Sequence, residues 1–195
     1  MHIILRRFPG AAPLADEGIE KVKATLLPML QSHKGWRGYV AFPTEQGDIL
    51  TCTMYRDLAS AQELAERAVA WVKENMSKLP APEVFTGTVG AHMALDGATQ
   101  NLYCVVRKAD NAPSSSSQPL GENMLNSARG MPGLAGAYIA RSIDDPTKAA
   151  SIWFCDSREH AMAVHESTVR YMKEHSPGVT TRLIASGETV MLAMP

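Results

Sequence analysis

The feature that most constrains this chain is its likeness to itself at a spacing close to 100 residues. Leu5-Arg6-Arg7 matches Val106-Arg107-Lys108. Gly35-Trp36-Arg37-Gly38 followed by Tyr39 matches Gly133-Leu134-Ala135-Gly136 followed by Ala137-Tyr138. Met54-Tyr55-Arg56-Asp57 matches Trp153-Phe154-Cys155-Asp156, and Trp71-Val72-Lys73-Glu74-Asn75 matches Tyr171-Met172-Lys173-Glu174-His175. Thr86-Gly87 matches Ser186-Gly187. The matches keep one order, which chance does not readily produce. The repeat predicts two units, residues 1–95 and 101–195, joined by a polar linker over 96–100.

Hydrophobic periodicity assigns the same element order to both halves. In the first, His2 to Phe8 reads as a strand. Ile19, Val22, Leu26, Met29 and Leu30 make one stripe of a helix over Ala15 to Ser32, with Pro28 loosening its last turn. Arg37 to Phe42 and Asp48 to Arg56 read as a hairpin around a Pro- and Gly-containing joint. A helix over Ala59 to Lys78 follows, with Ser60 as its expected N-cap three residues before Glu63. Glu83 to Met93 is the last strand. The second half gives strands at Leu102 to Lys108, Ala135 to Arg141, Ala149 to Cys155 and Thr181 to Leu192. Its helices lie at Leu120 to Ala128 and from the Ser157 cap to His175. The irregular run Ala109 to Pro119, with four consecutive serines, reads as a surface loop.

Each half is therefore β-α-β-β-α-β, the split βαβ or ferredoxin-like arrangement, with an antiparallel sheet and both helices on one face. Strand residues on the other face are apolar too, so that face needs a cover. The expected fold class is α+β: two tandem ferredoxin-like units packed sheet to sheet as a pseudo-dimeric α+β barrel, with further pairing of two chains left open.

Composition narrows the partners. With 19 basic and 20 acidic side chains, the formal net charge is -1, so no general field attracts nucleic acid or an anionic membrane. No apolar stretch reaches the ~20 residues that span a bilayer, and the first residues lack a secretory leader pattern. The three cysteines, Cys52, Cys104 and Cys155, are widely spaced in apolar runs and read as buried thiols in a reducing, cytoplasmic setting. A small apolar or aromatic molecule is the expected partner.

Gly35, Gly38, Tyr39, Tyr55, Asp57, Trp71, Val72, Glu74 and Asn75 together resemble the antibiotic biosynthesis monooxygenase-like family of dimeric α/β-barrel proteins. The first half resembles it more closely than the second. The resemblance implies a cofactor-independent monooxygenase that oxidises a small aromatic or polyketide-like substrate in a cavity between the sheets. The deprotonated substrate would itself reduce dioxygen, and the protein would supply a dry cavity, a base and a cationic stabiliser. No cofactor and no metal are expected. A haem-degrading relative shares the fold and relies on an Asn, a Trp and a haem-ligating His; only Trp71 has a counterpart here. Non-catalytic small-molecule binding and a purely structural role are the competing readings, because one fold hosts many functions.

No P-loop, dinucleotide fingerprint or His-Glu-x-x-His motif is present. His160 and His165 are five residues apart, about 140° around a helix, so they make no ready metal pair. His165 falls on the inward stripe, as a candidate base or as a buried histidine with a satisfied hydrogen bond. Arg6 and Arg107 are matched by the repeat on first strands. A buried arginine needs a partner: a ligand oxyanion, or Asp57 and Asp156. Otherwise these side chains reach solvent at the strand ends. Tyr39, Tyr55 and Trp71, matched with Tyr138, Phe154 and Tyr171, either stack on a planar ligand or fill the core.

Overall fold

The computed structural model describes residues 1–95, 102–113 and 120–195. The expected linker and the four serines lie outside the described residues. Among the described residues nine strands form one antiparallel sheet: β1 (His2–Phe8), β2 (Trp36–Pro43), β3 (Ile49–Tyr55), β4 (Glu83–Met93), β5 (Tyr103–Asp110), β6 (Leu134–Ser142), β7 (Ala149–Cys155), β8 (Thr180–Glu188) and β9 (Met191–Ala193). The helices are α1 (Ala15–Lys21), α2 (Leu27–Gln31), α3 (Leu58–Asn75), α4 (Leu120–Ala128) and α5 (Arg158–His175).

The strand order is β8-β5-β7-β6-β4-β1-β3-β2-β9. Its two ends, β8 and β9, are consecutive in the chain, so the sheet curls until its last segment touches both edges. The expected single strand Thr181 to Leu192 is thus divided at Thr189 and Val190. Its first part pairs with β5 and its second with β2. β4 behaves alike without a break: Glu83 to Thr88 pair with β1, and Gly87 to Met93 pair with β6.

The first helix departs from regularity. Between α1 and α2 the backbone runs as a π-helical turn over Val22–Leu26. Pro28 supplies the reason: it has no N–H, and its ring crowds the carbonyl four residues earlier, so the preceding turn widens. The α3 cap is Asp57, which accepts from the Ser60 amide at 2.8 Å, rather than Ser60 itself. Asp57 has the extended backbone of a cap, whereas Ser60 is already inside the helix. Ser157 caps α5 as expected, accepting from the His160 amide.

Strand alternation sorts side chains into two environments. One face of the curled sheet carries a core shared by both halves, including Ile3, Leu5, Phe42, Met54, Val106 and Phe154. The other face packs beneath the helices. Ile4, Tyr39, Tyr55, Leu30 and Leu64 meet α2 and α3, and Val105, Trp153, Leu125 and Val164 meet α4 and α5. Trp153 and Phe154 thus point to opposite faces. A fully buried Leu, Ile or Phe contributes roughly 1.5–3 kcal/mol, so both layers matter to stability. All three cysteines are buried and free.

Candidate functional site

The space between the facing parts of the sheet is filled by the shared core. The cavity expected there is found on the other face, where helices of modest length bridge a wide curled sheet without filling its corners. Two such cavities stand out, one in each half.

The first, of about 440 Å³, lies between β1, β2 and β3 below and α1, α3 and the Ser77 to Pro82 loop above. Phe8, Tyr39 and Trp71 give it aromatic walls. Arg6 enters it from β1. Alternation carries Ile4, Arg6 and Phe8 to the helix-facing side, while Leu5 points into the shared core. Arg6 is only 8% exposed. Among the described residues it forms no ion pair; Asp57 binds Arg56 instead, at 2.8 Å. Tyr39 and Tyr55 lie on the same face of the sheet, and the Cys52 thiol lies across it in the shared core. Burial drives all three upward in pKa, with Arg6 opposing the rise; Cys52 is pushed up to about 12. The buried Tyr55 hydroxyl has no partner in hydrogen-bonding geometry, although Arg6 and Thr53 stand close enough to act on its titration. Trp71 is held by its Nε1, which donates to Thr25 Oγ1 at 2.9 Å.

The second cavity, of about 390 Å³, lies between β5, β6 and β7 and helices α4 and α5. Arg107 enters it from β5, again 8% exposed. The register explains the correspondence: Arg6 stands opposite Thr51 on β3, and Arg107 opposite Ser151 on β7. Arg107 differs in having neutral acceptors. Its Nη1 donates to Nδ1 of His165 at 3.0 Å, and its Nη2 donates to Thr181 Oγ1. Asp156 is engaged by His160 at 2.6 Å and does not reach Arg107. Burial lowers the Arg107 pKa. His165 is lowered as well, first by burial and then by the Arg107 charge, with Glu166 opposing.

The structure therefore brings His165 and Arg107 together and sets Arg6 apart in the other half. Of the six aromatics, Tyr39 and Trp71 line the first cavity, and Tyr55 sits in the packed layer beside it. Tyr138 and Phe154 lie in the shared core, where their rings meet edge to face at 6.3 Å. Tyr171 stacks on His175 at 4.0 Å. The matching of Tyr39 with Tyr138, and of Tyr55 with Phe154, is corrected by the register. Gly38 pairs with Met54 after a bulge, and Gly136 pairs with Phe154 after another. Tyr39 then corresponds to Ala137, and Tyr55 to Cys155. A slip of one residue exchanges faces, so the second half has no aromatics at these helix-facing positions.

Sequence reasoning passed over Phe8, Met191 and Thr181. Phe8 shares the alternation of Arg6 and was within reach of that pattern. Met191 and Thr181 are brought in by long-range strand pairing, which leaves no local signal.

Among the described residues, no group of three or more His, Cys, Asp or Glu could hold a metal ion. No helix among them is long and apolar enough to cross a membrane.

No protein-family model and no curated protein matches the chain. Solved structures do. A "putative monooxygenase" of Fusobacterium nucleatum superposes with a TM-score of 0.78 at 8% identity, covering 99% of this chain and 94% of that one. A protein of the same description from Lactobacillus acidophilus gives 0.71 at 13% identity, with 99% and 95% covered. An anthrone oxidase-like protein gives 0.63 at 12% identity, with 99% and 92% covered. At such identities the likeness concerns the fold, a curled antiparallel α+β barrel sheet with its helices outside, and the activity must be argued from the cavities.

Proposed function

We propose that the chain is a cofactor-independent monooxygenase that takes a small aromatic or polyketide-like molecule into the aromatic-walled cavity beside Arg6. The observation that carries the reading is Arg6, more than nine-tenths buried, at the wall of an apolar cavity and, among the described residues, without a carboxylate partner. Such a charge is costly unless an anion joins it. A phenolate or enolate oxygen on a planar body satisfies both the cation and the walls formed by Phe8, Tyr39 and Trp71.

The chemistry places most of the burden on the substrate. Arg6 stabilises the enolate and so acidifies the adjacent C–H or O–H. The anion passes electrons to dioxygen. For an anthrone, the ring CH₂ becomes a carbonyl, one oxygen atom enters the product, and the other leaves as water with the two hydrogens. No carboxylate or imidazole lines this cavity among the described residues, so the proton departs to solvent at the mouth. His165, in the other half, serves Arg107 and is not the base for this site.

The test is oxygen uptake with anthrone in chelator-treated buffer, followed by the absorbance of the quinone. Turnover above the protein-free rate that disappears in Arg6→Met supports the proposal. Equal turnover in the variant removes it. The absent base favours one second reading, binding without turnover. In that case anthrone saturates the protein in an Arg6-dependent way while oxygen is not consumed.

The strand pairings also support the tandem reading, residues 1–95 and 101–195 as two copies acting as a covalent pseudo-dimer. β4 crosses to β6, and β9 crosses to β2. The Glu45 amide donates to the Ser186 carbonyl at 2.8 Å, and the Ile143 amide to the Thr86 carbonyl at 3.1 Å, at corresponding turns.

A further inference from the structure

We propose that the second cavity is a separate binding site for an aliphatic monocarboxylate, distinct in ligand class from the aromatic site beside Arg6. The inference does not rest on that site's activity.

Charge is the first argument. Arg107 is nine-tenths buried, and the acceptors it has, His165 and Thr181, are neutral or held neutral by the site. They orient the guanidinium but do not offset its charge. Among the described residues two of its five N–H donors are used, which leaves enough to grip a carboxylate with two parallel bonds.

The walls are the second argument. The first cavity is lined by the aromatic rings of Phe8, Tyr39 and Trp71, and the second, among the described residues, by none. Its lining comes from Ala91, Met124, Ile139, Ala150 and Met172, among others. Small and flexible side chains of this kind offer no flat face for a ring to stack on. A space so lined suits a flexible methylene chain better than a rigid ring.

The mouth is the third. β4 and β9 enter the two cavities at matching registers: Ala91 lies opposite Ile139, and Met191 opposite Ala41. The preceding residue is Val190 at the first cavity and Gly90 at the second. Gly90 is exposed, and a Cβ built on it meets nothing within 4 Å. At this matching position the second cavity is bordered by no side chain where the first is bordered by Val190, and the tail of a chain too long for about 390 Å³ can leave beside Gly90.

Decanoate is the probe, titrated calorimetrically into the whole chain and into three variants. One equivalent is expected to bind the native protein. Affinity should fall at least tenfold in Arg107→Met and should fall also in Gly90→Leu, which obstructs the mouth while leaving the arginine in place. Arg6→Met should bind as the native protein does. Thermal melts establish that each variant is folded, and Gly90→Leu carries the test should Arg107→Met not fold. Failure of decanoate to bind, or loss on Arg6→Met with Arg107→Met and Gly90→Leu unaffected, overturns the proposal. Equal weakening in all three variants overturns it as well. None of these outcomes bears on anthrone turnover at the first cavity, so the two proposals stand or fall separately.

Discussion

Arg107 on β5 donates from Nη1 to Nδ1 of His165 on α5 across 3.0 Å, joining strand to helix. The bond requires a neutral imidazole. Burial and the arginine both lower the His165 pKa. A histidine held neutral in the folded state takes up its proton more readily when unfolded. Its contribution to stability is therefore present above the ordinary value of about 6.5 and declines as pH falls below it toward the lowered folded value. His165→Gln keeps an acceptor without a titration. Urea unfolding between about pH 8 and pH 5 should show a shallower decline in the variant than in the native chain. Identical slopes would remove His165 from this role.

Among the described residues Arg6 has no acceptor in full hydrogen-bonding geometry, only the Tyr55 hydroxyl close by, so the same substitution should act differently on the two arginines. Arg6→Met removes an uncompensated buried charge and is expected to raise stability by about 1 kcal/mol or more. Arg107→Met also leaves Thr181 and His165 without their donor, an offsetting loss of about 1 kcal/mol for each unmade bond. Denaturant midpoints of the two variants decide the point: the idea fails if Arg6→Met is the more destabilising.

Glycines at the crossings between halves should tolerate little. A Cβ on Gly87 would sit 2.9 Å from the Arg141 carbonyl oxygen and 2.7 Å from Cε1 of Phe85. One on Gly187 would meet the Pro43 carbonyl oxygen. Backbone oxygens in a paired strand cannot step aside. Each Gly→Ala change should cost about 2–4 kcal/mol, whereas Gly90→Ala, with open space before it, should be nearly neutral. Thermal melts of the three single variants provide the comparison.

Across the two cavities, bulk at one strand pair is exchanged. Ala41 faces Met191 at the first, and Ile139 faces Ala91 at the second. Met191 is 6% exposed, so Met191→Ala should cost about 2–5 kcal/mol through the space it leaves. Adding Ala41→Ile should restore part of that loss. A double-mutant cycle by chemical denaturation should show a favourable coupling of about 0.5 kcal/mol or more, and strict additivity would argue against a shared wall.

Much of this molecule was legible in the residue order. Period-two alternation carried Arg6 and Arg107 to matching strand positions, and it separated Trp153 from Phe154. The turn formers near Thr44 to Gly47 marked the first hairpin. Pro28 announced the widened turn in the first helix. Such features depend on neighbours a few residues away, and local sterics and burial set them.

Tertiary structure alone decided the rest, because pairing between distant strands has no local signature. The pairing registers set Gly38 opposite Met54 and Gly136 opposite Phe154, so Tyr39, one residue on, faces the first cavity and Tyr138, two residues on, faces the shared core. Met191 and Thr181 reached their cavities only through β9 and β8. Which face kept open space depended on how large side chains such as Phe42, Met54 and Phe154 filled the inside of the curled sheet. Packing of that kind depends on all the elements at once, whereas the repeat and the alternation can be read along a single strand.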